Sequence, residues 1–195
     1  MRELKLPIPA LKAVLEEYLL MIDQAERRLV NLDDLIEVQV VSWRMFPAVE
    51  ALMCMRGVKL TAATVLVSEI GDIHRFRHPR QLMGFLGLVP LEKSTGNTRR
   101  VGSITKAGNA HARWMMIEVA QHALLPPKVS TQLSRRQEGQ PAIYRELAWQ
   151  VQTRLHKRGW HLLQRKVMPA KVTVALAREL TGFIWAMLKQ VPLPQ

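Results

Sequence analysis

Ser94 and Thr95 form a hydroxyl pair, followed at once by Gly96 and then by Arg99, Arg100, Lys106 and Arg113, with Gly102 and Gly108 between them. From Ser94 to Arg113 there are four basic residues and no acidic one. Glycines let a backbone approach a phosphate closely, and guanidinium groups supply charge in a planar fork. A hydroxyl among such groups is a candidate nucleophile for a phosphodiester, with Arg99, Arg100, Lys106 and Arg113 stabilising charge on the phosphoryl oxygens. An unassisted serine is a poor nucleophile and needs a base or a metal. Glu92 is the one acid close by in sequence. The same residues also describe a basic loop that rests on nucleic acid and does no chemistry, and spacing leaves both readings open.

The charge distribution points to the same segment. The chain has 195 residues and a net charge of +12. Residues 1–93 hold 12 basic and 12 acidic side chains, whereas residues 94–171 hold 14 and 3. So concentrated an excess repels itself unless an anion is near, which implies a polyanionic partner such as DNA. The single cysteine, Cys54, cannot form an internal disulfide and reads as a small core residue in a reducing compartment. No apolar run is long enough to span a membrane, and no signal-peptide core is present, so the expected location is cytoplasmic with no membrane partner.

The elements that must position these residues read as helices, and the expected fold class is all-α. Lys5–Pro9 is a proline-bearing lead. From Leu11 the apolar residues step by four and three through Leu15, Tyr18, Ile22, Ala25, Leu29, Leu32 and Ile36. That heptad seam predicts a coiled coil in residues 1–46, made within the chain or with a second copy. A helix over Ala48–Met55, a turn at Arg56-Gly57-Val58-Lys59 and a helix over Thr61–Ile70 resemble a helix-hairpin-helix. In such a unit the turn, with Arg56, Gly57 and Lys59, faces a phosphate; a plain helical hairpin is the alternative. Asp72, His74 and His78 read as part of a basic DNA-contacting cluster rather than as a metal site. Pro79 opens a helix that Gly87 stops.

Asn109, also a candidate DNA contact, caps a helix over Ala110–Leu125 that is apolar nearly all round and so should be buried, with Arg113 in its first turn beside the phosphate that Ser94 would attack. Pro126-Pro127 breaks the chain. Lys128–Gly139 is basic, with Arg135 and Arg136 among the candidate DNA contacts. A helix from Pro141 to about Lys157 and another over Ala170–Lys189 complete the chain. Trp160 reads as buried, with base stacking as the alternative. The expected segments are 1–46 (coiled-coil helix), 47–130 (helical core with the helix-hairpin-helix-like unit and the serine loop) and 131–195 (basic helical segment).

Read with its flanks, the chain resembles the insertion sequence one-ten family of transposases (also one-sixteen and nine-oh-two), in its C-terminal, serine-bearing domain. The resemblance rests on Arg56-Gly57-Val58, Glu69-Ile70-Gly71-Asp72, Pro79-Arg80-Gln81-Leu82, Gly87-Leu88-Val89-Pro90, Ser94-Thr95-Gly96, Ile104-Thr105-Lys106, Gly108-Asn109 and Arg113. The later Arg135-Arg136-Gln137-Glu138-Gly139 and Arg178–Trp185 extend it over essentially the whole chain. It implies a DNA recombinase with two catalytic halves: an N-terminal RuvC-like domain with four metal-binding carboxylates, and a C-terminal domain whose serine attacks DNA. For some members an element-encoded guide RNA is a further partner.

On that resemblance Ser94 is the nucleophile. Many relatives have Ser-Ser-Gly here, which makes Thr95 a second candidate. The RuvC-like half is absent, so the chain resembles a truncated copy or a fragment read from a downstream start. No cofactor is expected on this chain, Mg2+ entering only with the carboxylate-bearing half. The expected function is the DNA-binding, serine-supplying part of a transposase, partnered through the coiled coil with itself or a full-length transposase. The alternative is a catalytically inactive DNA- or RNA-binding module.

Overall fold

The heptad-bearing segment forms one uninterrupted helix, α1 (Pro9–Val40), led by a proline in its first turn, where a missing N–H costs nothing. In this computed structural model the described residues are 8–95 and 98–192, and side chains are described for 8–92 and 102–192. The Lys5–Pro7 part of the lead, Gly96 and the end of the C-terminal tail lie outside them. Residues 1–42 and 43–195 separate as two compact units. Within the first, α1 runs about 48 Å at 1.5 Å per residue. Its Leu11, Tyr18, Ile22, Leu29 and Leu32 are exposed.

The second unit is built on its last helix. α2 (Phe46–Met53) and α3 (Leu60–Ile70) pack as a hairpin. A 3-10 turn at Ile73–Arg75 leads to α4 (Pro79–Phe85). After the central segment come α5 (Ala110–Gln121), a 3-10 turn at His122–Leu124, α6 (Thr131–Gln137), α7 (Ala142–Gln164) and α8 (Pro169–Leu188). α8 buries Val172, Leu176, Ala177, Leu180, Ile184, Met187 and Leu188, and packs on α2, α4, α5 and α7. A helix buried on so many sides must be apolar around most of its girth, and this one is. Truncating a fully buried leucine such as Leu176 costs about 2–5 kcal/mol. Gly159 lets α7 approach: a Cβ there would meet the Leu124 Cδ2 at 2.8 Å and the Leu176 Cδ1 at 3.2 Å.

The architecture is mostly helical, as expected, with one addition in the central segment. Pro90–Thr95 (β1) and Thr98–Ile104 (β2) pair as an antiparallel hairpin. Glu92 stands opposite Val101, Lys93 opposite Arg100, Ser94 opposite Arg99 and Thr95 opposite Thr98, with an irregularity between Pro90 and Glu92. Neither strand alternates apolar and polar residues cleanly, so period-two patterning does not reveal it. The signal is the two-residue Gly96-Asn97 spacer between threonines, which is hairpin chemistry.

Two side-chain expectations fail. α5 buries Ala112, Met116, Val119 and Ala120, but Trp114 is 54% exposed, so α5 is buried on one face rather than all round. Trp160 is half exposed rather than buried, because α7 turns its Val151, Leu155 and Gly159 face to the core instead.

Candidate nucleic-acid interface

The root of the hairpin is clamped before the hairpin begins. The Leu88 amide donates to Met83 O, and the Lys106 amide donates to Gly87 O at 3.1 Å. The Thr105 amide donates to Val89 O, and the Asn109 amide to Phe85 O, both at 2.9 Å. Two glycines permit this approach. Gly87 and Gly108 both have positive φ (65° and 92°), and a Cβ on Gly108 would lie 2.1 Å from Phe85 O. Only glycine adopts that conformation with that contact at low cost. Arg113 Nη1 donates to Leu86 O at 3.0 Å and closes the clamp.

The predicted site residues therefore divide. Arg113 is half-buried at the hairpin root. Lys106 is exposed there, with a φ of 56°. Ser94 and Thr95 lie in β1, and Arg99 and Arg100 in β2, toward the outer end. At about 3.3 Å per residue, Ser94 is roughly 13 Å along the strand from Pro90. The side chains of Ser94, Thr95, Arg99 and Arg100 are outside the described residues. Asn109 caps α5, its Oδ1 accepting from the Ala112 amide at 2.9 Å, while its Nδ2 donates to Glu69 Oε2 at 2.6 Å. His111 Nδ1 lies 2.9 Å from the other Glu69 oxygen. The Asn109 hydrogen bond, then that of His111, holds the Glu69 carboxyl below its ordinary pKa.

Elsewhere the candidate DNA contacts are tied into the fold. Arg56 Nη1 donates to Leu125 O and to Pro126 O. Gly57, with φ of 83°, packs where a Cβ would meet the His122 ring at 2.8 Å. The α2–α3 turn is thus fastened to the end of α5, with Lys59 exposed beside it. Arg136 Nη1 donates to Val58 O, and burial lowers its pKa from the ordinary value. Its neighbour Gln137 donates to Cys54 O at 2.8 Å, and burial raises the Cys54 thiol to about 11. Arg135 is exposed. Asp72 accepts from the His74 amide at 2.8 Å, and His78 Nδ1 accepts from the Arg80 amide at 3.3 Å, so both act as caps.

Sequence reading did not gather one further group of charges. A cleft of about 590 Å³ opens beside the hairpin root, between Pro90, Gly102 and Ile104 on one side and α4, α7 and α8 on the other. Its rim carries Arg80, Arg154, Arg158, Lys171 and Arg178, all exposed, against one carboxylate, Glu179. Arg154 Nε donates to Glu179 Oε1, and Arg158 Nη1 lies 2.9 Å from Oε2. That hydrogen bond, then the carboxylate charge, raises the Arg154 pKa. Glu179 is only 13% exposed, whereas Arg154 and Arg158 are 67% and 48% exposed. The carboxylate thus anchors two guanidiniums whose outer faces stay open. Among the described residues Arg80, Lys171 and Arg178 have no ion pair. These five cations come from positions up to 98 apart, and only the packing of α4, α7 and α8 gathers them.

Among the described residues no three of His, Cys, Asp or Glu converge as a metal-ligand set, and no helix is long and apolar enough to cross a membrane.

Residues 49–133, from α2 through the hairpin and α5, match the sequence model of the transposase IS116/IS110/IS902 family. A putative transposase, y4qE, of Sinorhizobium fredii is 41% identical over 165 residues, which is 83% of this chain and 42% of that protein. A probable family 20 transposase of Pseudomonas aeruginosa is 29% identical over 188 residues, 94% of this chain and 47% of that protein. The transposase for insertion sequence element IS1111A of Coxiella burnetii is 33% identical over 132 residues, 68% of this chain and 30% of that protein. The chain spans less than half the length of these curated relatives. On the match through α2, the hairpin and α5, residues 49–133 carry the sequence pattern of the IS116/IS110/IS902 transposase family, and the curated relatives similar to the chain are transposases.

Proposed function

We propose that the chain is the DNA-binding, serine-supplying part of a transposase, and that Ser94 is its nucleophile. The observation that carries this reading is the basic cleft at the hairpin root. Arg80, Arg154, Arg158, Lys171 and Arg178 face one opening there with a single carboxylate among them. A phosphate backbone lying along such a rim releases counterions at each contact. The hairpin rises from the same place and carries Ser94 outward along the strand, so a strand held in the cleft is within reach of the hydroxyl-bearing ribbon. An isolated two-stranded hairpin is marginal in water, and a bound duplex beside this one supplies the missing packing.

In the reaction the Ser94 oxygen attacks a phosphorus, the phosphoserine bond forms and the 3′ oxygen leaves as a hydroxyl. The serine proton and the developing charge need a base and cations. The basic residues of the hairpin and cleft supply charge. The base would be a carboxylate of a partner domain, whose carboxylates would also hold any Mg2+. Pairing with a second copy or a full-length transposase through the exposed seam of α1 belongs to the same proposal, as does the use of a guide RNA.

The test is the salt dependence of DNA binding. Arg158→Ala and Arg178→Ala should each weaken duplex binding and lower the salt slope by about 1, without altering sequence preference. Unchanged slopes in both variants would refute the cleft as the interface.

A further inference from the structure

A second groove, of about 810 Å³, adjoins the basic cleft and shares Met83, Arg154 and Glu179 with it. Its character is different. Trp149, Thr153 and Lys157 of α7 line one side, and Gly182 and Phe183 of α8 with Met83 of α4 line the rest. Trp149 is 48% exposed. A large indole left half in solvent beside two cations is unusual for a helix whose other face is buried, because burying it elsewhere would gain hydrophobic free energy. Gly182 keeps the floor low: a Cβ there would sit 3.5 Å from Met83 Cε, and a longer side chain would fill the groove.

The chemistry of the lining selects an occupant with a flat apolar face and an adjacent anion. The volume falls within the range of about 300–1,000 Å³ typical of small-molecule sites. Lys157 is exposed, and Arg154 keeps two thirds of its side chain in solvent despite its bond to Glu179. The neighbouring cleft adds Arg80, Arg158, Lys171 and Arg178 in continuity. A paired base cannot present its face, since its neighbours in the duplex cover it. An unpaired one can.

We propose that this groove takes an unpaired base of a nucleic-acid strand, stacked on Trp149, with the flanking phosphates on Lys157, Arg154 and the adjoining cleft. The inference rests on the cleft being a nucleic-acid interface, and it adds a preference for single-stranded or locally opened substrate. Base–aromatic stacking tolerates any sequence, so DNA and RNA strands are two sources of one chemistry.

The experiment uses the full chain and labelled strands of about ten nucleotides, within the usual site sizes for such grooves. The probes are oligo-dT, oligo-U, an abasic strand with the same phosphates, and a duplex. Trp149→Ala should weaken binding of the base-bearing strands by about 5- to 100-fold. It should leave the duplex and the abasic strand within about twofold, as an exposed substitution does. Trp149→Phe, which keeps an aromatic face, should retain most of the affinity. Loss on the DNA strand, the RNA strand or both upholds the inference and names the source. Equal loss on duplex and single strand, or no loss on any probe, overturns it. If the unaltered chain binds the duplex but does not distinguish base-bearing from abasic strands, this inference alone fails. If it binds none of them, the cleft reading fails as well.

Discussion

Ser94 stands directly opposite Arg99 in the antiparallel ladder of the hairpin, while Arg113 is held at the root by its bond to Leu86 O. The hydroxyl-bearing position and a basic one therefore share a backbone register near the outer end. The cations spaced further along the sequence do not share it. This separates two jobs. On the proposed function, the root and its cleft would hold a backbone, and the outer part of the ribbon would carry the nucleophile.

That separation predicts the behaviour of Ser94→Ala. The variant should bind duplex DNA like the parent, since binding rests on the cleft, and should form no covalent protein–DNA adduct under any condition. The parent chain alone, with Mg2+, should also leave DNA uncut, because on the proposed function the base comes from a partner domain. Gel shift and mass spectrometry of the protein–DNA mixture check both statements. An adduct at Ser94 from the isolated chain would show that the base lies on this polypeptide.

The clamp predicts unequal costs for two glycines of similar conformation. Gly108 and Gly139 have φ values of 92° and 74°. A Cβ at Gly139 meets nothing within 4 Å, whereas at Gly108 it meets Phe85 O at 2.1 Å. Gly139→Ala should lose about 1 kcal/mol, the cost of the left-handed backbone alone. Gly108→Ala should lose about 3 kcal/mol or more, since the backbone carbonyl cannot move aside. Urea denaturation of the two variants measures the gap.

The Glu69 network predicts an acid-sensitive contribution. Its carboxyl pKa is lowered from 4.5 by the Asn109 hydrogen bond and then that of His111. A depressed folded pKa means stability that is present above the unfolded value and lost as pH falls through the folded one. Glu69→Gln should therefore melt about 2–4 °C lower at pH 7, a loss of about 1 kcal/mol after discounting for solvent screening. The two proteins should converge as the pH drops below about 4. Thermal melts across that range check the sign, and a constant gap would assign the effect to packing.

Much of this protein was legible one residue at a time. Heptad steps announced α1, Asn109 announced the cap of α5, Pro79 and Gly87 bracketed α4, and the serine motif carried the family resemblance. Each is a local signal, decided by backbone chemistry or by spacing along one element. The hairpin was harder to see, because its strands lack an apolar face and only the Gly96-Asn97 spacer betrays it.

What tertiary structure alone decided is which charges work together. Arg56 and Arg136 read as phosphate contacts in sequence, but packing turns them toward the carbonyls of Pro126 and Val58. Arg80, Arg154, Arg158, Lys171 and Arg178 showed no common motif, yet α8 draws α4 and α7 together and places them around one opening. Charge acts through space and falls away with distance rather than with sequence separation. A basic composition can therefore point to a polyanionic partner, while a surface able to meet one exists only once the helices have packed.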